Sequence, residues 1–155
     1  MSITIRKGEP GDAPFVIASN CSLARETEGH ELDPGKIEPG VHAALADEIK
    51  GRYSIAELDG RPVGCLMITR EWSDWRNGWI WWIQSVYVDP EGRGAGVYRA
   101  LHDDVVERAA AAGNVRAVRL YVDRDNSRAR GVYERVGMTI SRYDLMEQTI
   151  GDGAP

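Results

Sequence analysis

Little in this chain points to metal or disulfide chemistry. Its only two cysteines, Cys21 and Cys65, stand far apart and lack the paired spacing of a zinc site, so they read as reduced thiols of a cytoplasmic protein. Histidine is scarce too. His42 and His102 fall within helical patterns without other ligands at metal-binding spacing, and no metal is expected. Positive charge is in deficit, with 19 Lys and Arg against 24 Asp and Glu for a formal net charge of −5. The basic residues are interleaved with acids, which leaves no basic stripe for a nucleic-acid backbone or an anionic membrane. No apolar run is long enough to span a bilayer, and Ser2 to Arg6 leads straight into charge without the apolar core of a signal peptide. The expectation is a soluble cytoplasmic protein. Repeats and linkers are also missing, so residues 1–150 are expected to form a single domain, and Gly151 to Pro155 a flexible tail with nothing to bury.

What is present is enough apolar sequence, 43% of 155 residues, to build one core unaided. Ile3 and Ile5 alternate with polar residues as a first strand, and Gly8 to Asp12 breaks the chain and offers Asp12 as a helix cap. Helical spacing from Ala13 predicts a helix ending at Gly29. Pro34-Gly35 then separates a second helical piece over residues 41–49. Tyr53 to Leu58, a turn through Asp59-Gly60, and Val63 to Thr69 read as an antiparallel hairpin. The aromatic and β-branched run from Trp79 to Val88 adds a third strand to this meander. Leu101, Val105, Ala109 and Ala112 share one face of a helix ending at Gly113. Val118, Leu120 and Val122 alternate as a buried strand, residues 127–136 form a short helix ending at Gly137, and a last strand is expected from Thr139 towards Met146.

Two phrases carry chemistry. Arg93-Gly94-Ala95-Gly96 sets small residues between a strand end and a helix beginning near Val97, so several backbone N–H groups can converge on one anion. Asn126, Ala129 and Tyr133 then fall on a second helix, with Ala129 and the Tyr133 phenol four residues apart on one face. A glycine turn before a helix is by itself a tight connection, and the second phrase by itself an amphipathic helix with a core tyrosine. It is their order, separated by one strand, that carries weight.

That order resembles the GNAT N-acetyltransferase superfamily over nearly the whole chain. Arg93 and Gly96 fit the family's pattern of Arg or Gln, two residues, Gly, one residue, then Gly or Ala. Tyr98 stands where that pattern has its final small residue. Asn126, Ala129, Tyr133 and Gly137-Met138 follow the family's fourth-helix signature. The resemblance implies an α/β fold, a mixed and mostly antiparallel sheet flanked by helices, with its fourth and fifth strands splayed. It implies acetyl-CoA as co-substrate and no metal. It further implies that Arg93, Gly94, Ala95, Gly96, Val97 and Tyr98 hold the diphosphate and Val86, Tyr87 and Val88 the pantetheine arm. Asn126 and Ala129 would form the adjoining wall.

Acyl transfer from a thioester to an amine needs a neutral nucleophile, a stabilised oxyanion and a proton for the departing thiolate. Tyr133 is the expected proton donor and catalytic residue, and main-chain N–H groups around Val86 to Val88 the expected oxyanion donors. The base is not legible, because the strand position where some family members carry a glutamate falls near Trp82. Gln84 could position the amine or a water. Glu26 and Glu28, with His30, end the helix that lines the acceptor side in the family, and their plain reading is a solvated helix end. Among the five tryptophans, Trp75 beside Asp74 is the candidate for an acceptor wall; core packing accounts for the others. The expected activity is acetyl transfer from acetyl-CoA to a primary amine of a small molecule or protein, in a ternary complex. The chain's acidity tilts the acceptor towards cations. Alternatives are a non-catalytic acyl-CoA-binding or sensor domain, and an acyltransferase for another acyl chain. A homodimer stays open as a further partner.

Overall fold

The computed structural model describes residues 2–155, which divide into two units, one ending at Tyr121 and the other Val122–Pro155. The larger begins with β1 (Ile3–Lys7), α1 (Ala13–Glu28), α2 (Pro34–Ala46), β2 (Arg52–Leu58) and β3 (Arg61–Ser73). It continues with β4 (Gly78–Val88), α3 (Val97–Ala112) and β5 (Val115–Leu120). Its sheet has the order β1-β2-β3-β4-β5, antiparallel throughout except for the parallel pairing of β4 with β5. Here is the mixed, mostly antiparallel sheet flanked by helices that the sequence implied.

Period-two alternation gives this sheet two buried faces. From β2, Ala56 and Leu58 join Val63, Leu66 and Ile83 beneath Leu101 and Val105 of α3. Tyr53 and Ile55 of the same strand turn the other way and pack with Cys65 against Val16 of α1 and Val41 and Ala44 of α2. Ile55, Leu66, Leu101 and Val105 are wholly removed from water. Each such side chain contributes about 1.5–3 kcal/mol of burial, so Leu101→Ala costs about 2–5 kcal/mol.

The turns follow local chemistry. Leu58 pairs with Arg61 across a two-residue connection in which Asp59 (φ 50°) and Gly60 (φ 80°) are both left-handed, as a type I′ hairpin turn requires. The second helix starts earlier than its apolar spacing suggests. Asp33 caps it by accepting from the Gly35 N–H (2.9 Å), and Pro34 takes the first helical position, where a missing N–H costs nothing. Asp12 precedes α1 but its side chain caps nothing there. Its carboxylate accepts from both terminal nitrogens of Arg6 (2.8 Å each) and from the Glu9 N–H, and Arg6 also reaches Glu57. Those bonds hold the Asp12 carboxyl below its usual range.

The smaller unit contains α4 (Ser127–Arg135) and otherwise irregular chain. Val122 falls beyond the end of β5, and Val118 and Leu120 are only half-buried. The strand expected from Thr139 to Met146 does not form. A strand exists only with a ladder partner, and residues 122–155 contain no other strand to supply one.

Candidate active site

The ladder between β4 and β5 ends at Ile83 and Leu120, so β4 runs on from Gln84 to Val88 paired only with β3 among the described residues. These are the splayed fourth and fifth strands. The Asp89 N–H donates to the Val63 carbonyl (2.8 Å), which fixes the phase of the alternation. Main-chain groups of Tyr87 therefore face β3, and those of Val86 and Val88 face the opened side. Accordingly, the Val88 carbonyl accepts from Arg93 Nε at 3.0 Å rather than from a strand.

The turn that follows leads into the glycine loop. Gly94 (φ 79°) and Gly96 (φ 85°) are both left-handed, and a Cβ built on either meets nothing within 4 Å. The space above the loop is open, and Gly96 brings no capping side chain to the first turn of α3. Uncapped N–H groups under open space suit an anion such as a diphosphate. Val97 anchors the loop from below, at 1% exposure. Tyr98 is half-buried, with its hydroxyl 3.2 Å from His102 Nδ1 one turn further along α3, so it does not lean over the loop.

Arg93 gathers two other sequence candidates. Its guanidinium donates to both Glu26 oxygens (2.8 and 3.1 Å) and lies 5.5 Å from the Tyr87 ring centroid. The Tyr87 hydroxyl reaches Glu26 Oε1 at 3.4 Å. Glu26 thus ties the last turn of α1 to the end of β4. Sequence spacing gave no sign of this, because 67 residues separate the partners.

β4 carries a bulge where Met67 pairs with Ser85 and Ile68 with Ile83, leaving Gln84 as the extra residue. The bulge turns both Gln84 and Ser85 into an open cleft of ≈ 400 Å³. α2 supplies an apolar wall through Ile37, Val41 and Ala44, while Asn20, Lys50 and Tyr53 complete the polar lining. Gln84 also donates to Thr69 Oγ1 (2.8 Å). Tyr53 lies beside Asn20, and burial pushes its phenol up to about 12. Reasoning from sequence missed Asn20, Tyr53 and Ser85, which look like ordinary helix and strand residues until the bulge brings them together. Of the acceptor candidates only Gln84 lines the cleft. Glu26 is engaged with Arg93, Glu28 is exposed on the last turn of α1, and Trp75 is 93% exposed at the β3–β4 hairpin tip. Asp74 there accepts from the Trp75 N–H (2.8 Å) within its own turn.

In the smaller unit, Asn126 caps α4 by accepting from the Ala129 N–H (3.0 Å), so part of the Asn-x-x-Ala spacing is helix-start chemistry. Anything Asn126 offers a coenzyme must come from its carboxamide nitrogen. At the other end Met138 N–H bonds the Tyr133 carbonyl (3.1 Å) and Gly137 N–H bonds that of Glu134 (3.0 Å), with Gly137 at φ 97°. This is a Schellman closure, and it fixes Tyr133 in the last turn. Burial raises the Tyr133 phenol above its ordinary value.

A sheet that parts beside a glycine loop at a helix N-terminus offers an extended arm an edge to pair with and an anion a site. The chain belongs to the acetyltransferase (GNAT) family, whose family model matches residues 21–138. It is similar to the mycothiol acetyltransferases of Streptomyces griseus (34% identity over 154 residues) and Streptomyces coelicolor (29% over 154 residues). Each match takes in 95% of this chain and 46% of the relative, so the chain spans about half the length of these curated relatives. The crystal structure of a possible acetyltransferase from Clostridium difficile superposes with a TM-score of 0.90 at 39% identity, covering 97% of this chain and 99% of that one. No helix among the described residues is long and apolar enough to cross a membrane.

Proposed function

We propose that this protein transfers the acetyl group of acetyl-CoA to a primary amine within a ternary complex, residues 1–150 acting as one catalytic domain. One observation carries the reading: within a single unit, the freed edge of β4 at Val86 and Val88 runs into an open, glycine-lined helix start. An extended amide-bearing arm can pair with such an edge as an added strand, while Gly94 to Tyr98 receive the diphosphate. The amine nitrogen bonds to the thioester carbonyl carbon, main-chain N–H groups near Val86 to Val88 take the oxyanion charge, and the carbon–sulfur bond breaks. Tyr133 gives its proton to the departing thiolate and regains one through water as the new amide nitrogen sheds its extra proton, and Asn126 and Ala129 wall the coenzyme. Gln84 orients the amine. Among the described residues no carboxylate or imidazole lines the cleft, so the ammonium loses its proton to water before attack.

The lack of a base in the cleft also favours a second reading, an acyl-CoA-binding domain without turnover. Following thiol release from acetyl-CoA over a panel of amines, for the protein and its Tyr133→Phe variant, separates the two. Transfer predicts amine-dependent release and a drop in kcat of about 10² in the variant, with the KM for acetyl-CoA within about threefold. Coenzyme binding without release would establish the sensor. Unchanged kcat in Tyr133→Phe would remove the phenol from the mechanism.

A further inference from the structure

The sheet face beneath α3 gathers basic side chains at the end far from the glycine loop. Register sets Lys7 opposite Ser54 and Arg52 opposite Ile68, on the face where Ile5, Ala56 and Ile68 pack, and Arg70 follows Ile68 by two residues. Lys7 on β1 and Arg70 on β3 therefore flank Arg52 on β2. Arg108 joins them from α3, about three turns beyond the glycine loop. Arg52 Nη1 and Arg108 Nη2 both donate to the Ser54 hydroxyl (3.4 and 3.3 Å), so one buried oxygen holds two guanidinium groups side by side. Indole rings back the cluster, with Arg108 5.6 Å from the Trp81 centroid and Arg70 5.4 Å from that of Trp79.

Two carboxylates are paired with these four cations, which leaves a surplus of two positive charges. Asp104 takes Arg108 (2.9 Å), and Glu48 takes Lys7 (2.8 Å) and meets Arg52 only at 3.7 Å. Arg70 stays exposed over its indole. Burial and the neighbouring Arg108 guanidinium pull Arg52 below its usual value by more than Asp104 and Glu48 raise it, so these carboxylates do not offset its charge. On a chain of net charge −5 such a local surplus is suited to an anion. We infer that Lys7, Arg52, Arg70 and Arg108 bind a small oxyanion of at least two negative charges, carried by phosphoryl or carboxylate groups, apart from the site of acetyl transfer. Ser54 occupies one N–H of each of two guanidinium forks, and the other N–H groups of those planes match paired oxygens. Bridging Arg52 and Arg108, the anion ties α3 to β2.

Calorimetric titration of the full chain with pyrophosphate and with citrate tests this. The expected dissociation constant of the better probe is below about 1 mM at low salt and rises with ionic strength. Arg52→Gln and Arg70→Gln should each weaken that binding about fivefold or more, and Asp104→Asn, which releases Arg108, should tighten it about threefold. A pyrophosphate held at the glycine loop would be indifferent to all three changes. Arg70 is exposed, so its replacement tests the site even where Arg52→Gln, over the buried Ser54, disturbs folding. The tighter of the two probes names the ligand class, phosphoryl or carboxylate. Binding of neither probe, or binding that Arg70→Gln leaves unchanged, overturns the site. Thiol release from acetyl-CoA is a separate measurement, so the transfer reading stands or falls without this result.

Discussion

Glu26 shows how one side chain can carry a different role from the one its position suggests. At the end of α1 it looks like a solvated acid or an ammonium ligand, yet both its oxygens are bonded to Arg93. If Arg93 also serves the diphosphate, as we propose, coenzyme and Glu26 compete for one guanidinium. The pair is part-exposed, with side chains at 37% and 43%, which limits its strength to about 0.2–1 kcal/mol. Glu26→Gln should therefore tighten acetyl-CoA binding by about two- to fivefold at low salt, less at high salt. The gain should vanish when Arg93 is replaced by Gln as well. Calorimetric titration of the single and double variants checks it, and weaker binding in Glu26→Gln would mean that Glu26 positions Arg93 rather than competes for it.

Among the elements, the loop before α3 makes the sharpest demand on its residues. Gly96 occupies a left-handed backbone conformation at the helix start, which costs a residue with a Cβ about 1–2 kcal/mol. The added methyl would also stand in the open space over the loop. Gly96→Ala is expected to lower the melting temperature by several degrees and raise the KM for acetyl-CoA at least tenfold, while an unchanged KM would place the diphosphate elsewhere. Glycines are legible in sequence because their conformational freedom is local, and so were this loop, the Asp59-Gly60 turn and the Gly137 helix stop. The β4 bulge was not, because Gln84 and Ser85 carry no mark of an extra residue; only the β3 register reveals it. In sequence Pro34 looks like a separator, although proline suits a first helical position equally well. The terminal strand failed for a related reason: its alternation is real, but a ladder partner lies outside what one segment can show.

At the scale of the whole molecule, the core sets a limit on alkaline stability. Burial lifts Cys65 from 9.0 to about 11 and Tyr53 from 10.0 to about 12, both on the sheet face covered by α1 and α2. The unfolded chain loses these protons first. Between pH 9 and 11 it binds fewer protons at Cys65 than the native state does, and between 10 and 12 fewer at Tyr53. The stability each burial contributes is therefore intact below the unfolded pKa and is lost as pH rises through the folded one. Each shift corresponds to about 2–3 kcal/mol at the top of its window, enough to remove a large part of a domain's net stability. Tyr133, raised in the same direction, adds to the loss. Melting temperatures measured from pH 8 to 11 should fall progressively. Cys65→Ala, at a cost of about 1 kcal/mol near neutrality, should flatten the curve between pH 9 and 10, where Tyr53 has yet to contribute. A melting temperature that stays level to pH 11, or a Cys65→Ala curve parallel to that of the native chain, would show that water reaches this face of the sheet.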